Sequence, residues 1–242
     1  MFSCWEVRLA RRLKMKKEPT AGIILAAGTS SRFGRPKQLL RIDGQMLLAK
    51  TISITLASQL EKVVLVLGHE SDRIVASLGE QLNDPRLLVT VNDHYRNGMS
   101  SSLQHGLLQV AASFPSIMVL LADQPFLDHQ IIDLLLEKFR SSDKDICVPC
   151  FQGRQGVPVS FSSRFYSAIM SIRGDIGGRK ILRENTQCVL SVEIGNDDCF
   201  FDIDREEDLQ RLFSGTNPSR NLKLSSSIAV PEVSAGNQTA SR

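Results

Sequence analysis

Short runs of branched apolar residues recur through the first 150 positions, at 23–25, 63–67, 87–91, 117–121 and 146–148, and a helix-spaced stretch separates most neighbouring runs. Runs this short and this apolar suit strands buried on both faces, which occur where helices cover a sheet from both sides. Between them, residues 46–60 carry Leu48, Ile52, Leu56 and Leu60 on one helical face, and 71–81, 102–112 and 128–140 have comparable helical patterns. Strand, helix, strand alternation predicts a mostly parallel sheet with right-handed crossovers, a Rossmann-like three-layer α/β/α fold. At 242 residues, 42% of them apolar and 23% charged, one such domain accounts for the chain.

The first run opens into the densest concentration of chemistry. Ile23, Ile24 and Leu25 lead through Ala26 and Ala27 to Gly28, then Thr29, Ser30, Ser31, Arg32, Gly34 and Lys37. Glycine admits a close ligand, hydroxyls and free N–H groups donate hydrogen bonds, and two cations neutralise negative oxygens. A triphosphate at the carboxyl end of a strand needs that combination. Residues 38–42, with the turn Asp43-Gly44, read as a short extended excursion before the first helix.

Three later stretches fall at the same expected edge. Residues 92–102 (NDHYRNGMSSS) pair Gly98 with Ser100, Ser101 and Ser102, any of which is positioned to cap the following helix. Asp123 stands at the mouth of the run 117–121, held by Pro125, where a carboxylate is placed to bind a divalent cation. Asp202 and Asp204 alternate with apolar residues, so an extended segment aims both carboxylates to one face, where one of them would complete a metal site begun by Asp123. The competing role for Asp204 is to cap the last helix, 205–213. Past residue 150 the pattern turns glycine-rich, through 152–159 into a β-like segment ending near Phe161. A second cation-bearing loop, 173–180, opens a helix to about residue 184. That loop predicts a second anionic ligand lying against the first.

Charge excludes one class of partner. Residues 1–19 hold six basic and two acidic side chains, a net +4, which leaves −1 for the rest of a chain whose total is +3. A nearly neutral body with a basic extension has no footprint for a duplex, so no nucleic-acid partner is expected. No stretch approaches eighteen uninterrupted apolar residues, so no membrane span is expected. The five cysteines are an odd, scattered set with no secretory segment before them, and reduced thiols in the cytoplasm are the expectation. Cys147 and Cys150 have a CxxC spacing but no second pair to complete a zinc site. Residues 1–20 are expected to form a flexible basic extension, with translation starting at Met15, and 214–242 to form a disordered tail; the folded domain is 21–213.

Two nucleotide signatures fail. A Walker A loop places Lys and Ser/Thr directly after its last glycine, whereas Gly34 is followed by Arg35, Pro36, Lys37 and Gln38. Neither does the segment read GxGxxG, which ranks a nucleotide-dependent redox enzyme last among the alternatives. Instead LAAGTSSRFGRPK resembles the signature loop of the MobA-like nucleotidyltransferases. GMSSSLQHGL, LLADQP, GRQGVPVSF, GDIGGRKIL and DIDREEDL then follow in the order of molybdenum cofactor cytidylyltransferases.

The resemblance implies a fold of the nucleotide-diphospho-sugar transferase type and a Mg²⁺-dependent transfer of CMP from CTP to the terminal phosphate of molybdopterin, with release of pyrophosphate. It implies catalytic roles for Arg32, Lys37 and Asp123, and a metal held by Asp123 with Asp202 and Asp204. Substrates would be held by Leu25, Ala26, Ala27, Gly28, Ser30, Ser31, Arg32 and Lys37, by Gly98, Ser100, Ser101 and Asp123, and by Gly156, Pro158, Asp175 and Arg179. The alanine form of LAAG goes with cytosine, and a methyl of Ala27 facing the base would disfavour a purine. The alternatives are a sibling using GTP or another phosphorylated acceptor, and a non-catalytic carrier serving a molybdenum hydroxylase. That hydroxylase is also the candidate recipient of the product.

Overall fold

The computed structural model describes residues 18–30, 33–176 and 178–213. The expected extension and tail, Met15 included, lie outside them apart from 18–20, and Thr20 already belongs to the first strand.

Ten strands form among the described residues: β1 (Thr20–Leu25), β2 (Arg41–Ile42), β3 (Gln45–Met46), β4 (Lys62–Leu67), β5 (Leu87–Val91), β6 (Ser116–Leu121), β7 (Ile146–Phe151), β8 (Arg154–Gln155), β9 (Val159–Ser162) and β10 (Val189–Glu193). The α-helices are α1 (Leu47–Ala57), α2 (Ser71–Leu78), α3 (Met99–Leu108), α4 (His129–Ser141), α5 (Tyr166–Ser171), α6 (Arg179–Glu184) and α7 (Glu206–Phe213). The main sheet runs β10-β7-β9-β6-β1-β4-β5, with β8 paired to β7. Strands β1, β4, β5 and β6 are mutually parallel, as the alternation predicts.

Strand β9 runs antiparallel between β6 and β7, a direction the sequence did not reveal. A crossover into a parallel strand needs about a dozen residues of return path, usually a helix. Only the turn-rich residues 152–158 separate β7 from β9, so the chain reverses instead.

Alternation within each strand divides the core. Ile24, Leu65, Leu67, Met118 and Leu120 pack on one face beneath Leu48 and Ile52 of α1 and Leu135 and Leu136 of α4. Ile23, Val64, Val66, Ile117 and Val119 pack on the other beneath Leu103 and Leu107 of α3 and Ile169 of α5. Successive residues of a strand face opposite sides, so each buried run supplies both layers. A third cluster joins Phe33 and Leu40 to Ile42 of the β2–β3 hairpin, Leu47 and Ile203. It pins residues 33–47 against the segment that carries Asp202 and Asp204.

Cys147 and Cys150 both lie in β7 and both are buried. Positions three apart in a strand face opposite sides, so the two sulfurs do not converge. Burial pushes the Cys147 thiol up to about 12, away from the thiolate that zinc requires. Among the described residues no helix is long and apolar enough to cross a membrane.

Candidate active site

The chain leaves β1 by continuing its pairing for two residues. The Ala26 N–H donates to the Val66 carbonyl, and the Ala27 carbonyl accepts from His69. Ala27 is only 4% exposed, and Gly68 sits beside it because an added Cβ there would fall 2.9 Å from the Ala27 methyl and 2.7 Å from Tyr95 Cβ. The expectation that this methyl faces a base is therefore corrected. It is packed into the layer against Gly68.

Beyond Ala27 the backbone opens. Gly28 and Thr29 are exposed, and Ser30 adopts the left-handed region at φ 51° although it has a side chain. Backbone and side-chain bonds hold that conformation. The Ser30 carbonyl accepts from Phe33 and Gly34, and its hydroxyl accepts from the Lys37 N–H at 3.1 Å. The N–H groups of Gly28, Thr29 and Ser30 find no acceptor among the described residues. Consecutive unpaired N–H groups in a turn form a concavity that favours an anion. Ser31 and Arg32, both expected here, lie outside the described residues.

A 3₁₀ turn at Lys37–Leu39 points Lys37 across the strand ends. Its Nζ donates to Asp123 Oδ2 at 2.5 Å, to Asp204 Oδ1 at 3.1 Å and to the Ile203 carbonyl at 3.2 Å. Burial works to lower the Lys37 pKa, but attraction and hydrogen bonds from Asp123 and Asp204 outweigh it and hold the ammonium above its ordinary value. Asp123 sits just past β6, its carbonyl bonded by the Ile203 N–H, and fully buried Ile203 anchors the aspartates on either side of it. Asp202 is pushed up to about 6, chiefly by burial and then by the charge of Asp123, with Asp204 adding; the bond from Gln124 and the charge of Lys37 oppose. Asp204 does not cap α7 with its side chain. Asp208 Oδ2 instead accepts from the N–H groups of Asp204 and Arg205.

The donor set suits a divalent cation. Asp123 Oδ1 and Gln124 Oε1 are both buried without a hydrogen-bond partner, the state expected of oxygens that await a hard cation. Asp202 stands close by, its Oδ1 accepting from Gln124 Nε2 at 3.0 Å. Among the described residues no three ligating side chains converge on a single point. Lys37 lies between Asp123 and Asp204 and acts as their counter-ion.

A cavity of about 710 Å³ adjoins this cluster, with Asp202 and Gln124 on its wall. Leu25, Val119, Leu121 and Phe161 form an apolar lining, while Arg154, Arg179 and Arg183 bring positive charge to it. The Arg154 guanidinium lies 5.6 Å from the Phe200 ring centre. Gly156 is required beside that ring, because an added Cβ would lie 2.2 Å from it. Pro158, buried, follows the cis bond from Val157.

The loop before α3 and the loop before α6 meet. Gly98 has φ 96°, and a Cβ there would come within 2.5 Å of the Gly174 carbonyl carbon. Asp175 Oδ1 accepts from the Met99 N–H at 3.0 Å and so satisfies the first turn of α3 from 76 residues away. The capping role expected of Ser100, Ser101 or Ser102 is thereby corrected. Those residues lie inside α3, Ser100 is buried, and the Ser101 hydroxyl donates to the His94 and Gly98 carbonyls.

Of the expected residues, the fold gathers Lys37, Asp123, Asp202 and Asp204 into one cluster and sets Leu25, Gly156, Asp175 and Arg179 around the adjoining cavity. Sequence reasoning passed over Gln38, Gln124 and Arg183. The first two stand directly after Lys37 and Asp123, which was the only available signal.

Comparison with known proteins places this architecture. The chain is 30% identical to a protein of Thermococcus kodakarensis named "Probable molybdenum cofactor guanylyltransferase", over 79% of this chain and 92% of that one. It is 29% identical to the "Nicotine blue oxidoreductase" of Paenarthrobacter nicotinovorans, over 79% and 95%. Among solved structures, Rv0371c of Mycobacterium tuberculosis H37Rv superposes with a TM-score of 0.70 at 24% identity, covering 80% of this chain and 96% of that one. Its complex with manganese superposes at 0.66 and 23%, covering 80% and 97%. At such identity these two likenesses establish the fold: a single α/β/α domain with a mostly parallel sheet. The family model of the MobA-like NTP transferase domain matches residues 22–189, and the chain belongs to that family.

Proposed function

We propose that the chain transfers CMP from CTP to the terminal phosphate of molybdopterin, releasing pyrophosphate and forming molybdopterin cytosine dinucleotide. One observation carries the nucleotidyl-transfer part. The Lys37–Asp123–Asp204 cluster stands between a loop with unpaired N–H groups and a cavity fringed by arginines, so two anionic substrates can approach one cation-binding centre. The acceptor's phosphate oxygen attacks the α-phosphorus of the nucleotide, and the bond from that phosphorus to the β-bridging oxygen breaks. The electron pair leaves with pyrophosphate. Because the nucleophile is already an anion, no strong general base is required, and catalysis consists of in-line positioning and stabilisation of developing charge. The loop N–H groups and Lys37 hold the phosphates, while Asp123, with Asp202 and Asp204 beside it, would hold Mg²⁺. The metal, when bound, neutralises charge on the phosphate oxygens.

CTP is proposed as donor on the LAAG form of the loop. With the Ala27 methyl buried, selection would act through backbone spacing at Gly68 rather than through a methyl against the base. The relatives named for guanylyl transfer make GTP the direct competitor. The relative named as an oxidoreductase gives weight to a second reading, a redox enzyme on the same scaffold. Pyrophosphate release from CTP and from GTP, each with and without molybdopterin and with Mg²⁺ or Mn²⁺, tests the proposal. Release with CTP only in the presence of the acceptor is expected. Turnover of GTP alone would overturn cytidylyl transfer. Tight pterin binding with no turnover of either nucleotide would favour a carrier, and nicotinamide-dependent reduction of a bound substrate would favour the redox reading.

A further inference from the structure

Gln38 is 2% exposed, yet its amide is almost fully used inside the loop that follows β1. Its Nε2 donates to the Ala26 carbonyl at 2.9 Å and to the Gly28 carbonyl at 3.1 Å, and its Oε1 accepts from the Ser30 hydroxyl at 3.4 Å. In a trans peptide unit the C=O and the following N–H point in opposite directions. A Gly28 carbonyl drawn inward to Gln38 therefore turns the Thr29 N–H outward, where it has no acceptor among the described residues. The same amide engages the Ser30 hydroxyl, which the Lys37 N–H also donates to, and so supports a left-handed residue that has no glycine to relieve it.

We propose that Gln38 is the positioning residue of the phosphate-binding loop. It fixes the peptide planes of residues 26–30 so that the Thr29 N–H faces the triphosphate before the nucleotide arrives. Because Lys37 and Gln38 are adjacent on one 3₁₀ turn, the loop and the carboxylate-bound ammonium are set by a single rigid piece of backbone. Lys37 reaches outward to Asp123 while Gln38 reaches inward. The inference rests on the reading that this loop holds the nucleotide's phosphates, and it names the residue that prepares it.

The test follows the Thr29 amide resonance of the ¹⁵N-labelled full chain during titration with inorganic triphosphate and Mg²⁺, beside pyrophosphate release from CTP. In the wild-type protein the resonance should shift on binding; no shift would overturn the proposal. Two variants separate positioning from bulk stability. Gln38→Met keeps length without polar atoms, and Gln38→Glu keeps the acceptor for Ser30 but loses both donations to the carbonyls. Each should weaken triphosphate binding by about ten- to hundredfold in molecules that remain folded. A purely structural role would lower the melting temperature of both variants without changing the affinity of the folded fraction, and that result would overturn positioning. CTP turnover indifferent to both substitutions would do the same and leave the transferase reading standing. Triphosphate binding that depends on Gln38, without nucleotidyl transfer, would have the opposite meaning.

Discussion

Lys37 serves two carboxylates that arrive from positions 86 and 167 residues away, and the balance among these charges explains the behaviour of the site in the absence of metal. One ammonium faces Asp123, Asp202 and Asp204, so negative charge is in excess, and burial together with the charge of Asp123 raises the Asp202 pKa from its ordinary 3.8 to about 6. A group whose pKa is raised on folding adds stability that is fully present below its unfolded value and is lost as pH rises through the folded one. Asp202→Asn mimics the protonated form and retains an acceptor for Gln124. It should therefore raise the melting temperature of the metal-free protein by roughly 2–4 °C at pH 8 and by almost nothing at pH 3, below the unfolded value. Calorimetry with chelator at both pH values checks this, and equal gains would show that ionisation of Asp202 is not the cause. The same variant should bind Mn²⁺ more weakly than wild type. Lys37→Ala should lower kcat by about 10²–10³-fold if the ammonium stabilises charge on the departing pyrophosphate. A rise in the KM for molybdopterin at unchanged kcat would contradict that role. Lys37 and Asp123 stood out because Lys37 closes the glycine- and hydroxyl-rich loop that follows β1 and Asp123 directly follows the apolar run of β6. The amides of Gln38 and Gln124 were not, since a glutamine is informative only once its neighbours in space are known.

The elements at the sheet's carboxyl edge are joined by contacts that tolerate little change. The loop before α3 and the loop before α6 touch at Gly98 and Gly174, and Asp175 caps α3 across the gap. Gly98→Ala faces two obstacles, a φ of 96° and a backbone carbonyl carbon 2.5 Å from the new Cβ. Backbone cannot swing aside as a side chain does, so the substitution should cost roughly 2 kcal/mol or more in urea unfolding. Gly174→Ala lacks the steric obstacle, as no atom of the described residues lies within 4 Å of its Cβ position, and should cost less. Equal costs would show that φ, which is positive at both sites, outweighs the loop contact. Strands and helices with strong periodicity were legible at this scale: β4, β5 and β6 fall within one residue of expectation. The antiparallel direction of β9 was not, because a pattern of alternating residues carries no sign. The long-range cap from Asp175 was equally hidden, since three nearby serines offered a local answer.

At the scale of the whole molecule, the two apolar layers and the hairpin cluster draw their buried residues from Ala21 to Ile203, and the last helix ends at Phe213. The three-layer architecture was readable because each buried strand must supply both faces, which leaves few alternatives for a chain with this alternation. The site inherits that economy. Its loop follows β1 and Asp123 follows β6, two strands that the sheet order sets side by side, whereas Asp202 and Asp204 come from the segment after edge strand β10, which returns to bond the Asp123 carbonyl through the Ile203 N–H. The described core and site are built from residues within 18–213. A chain cut to residues 15–214 should therefore keep its melting temperature within a few degrees and its CTP turnover within about twofold. Differential scanning calorimetry and the pyrophosphate assay on the shortened and full chains measure both quantities. If the melting temperature holds while turnover collapses, the removed segments contribute to a substrate or to a partner rather than to the fold. If both fall together, one of those segments packs on the domain and belongs to its core.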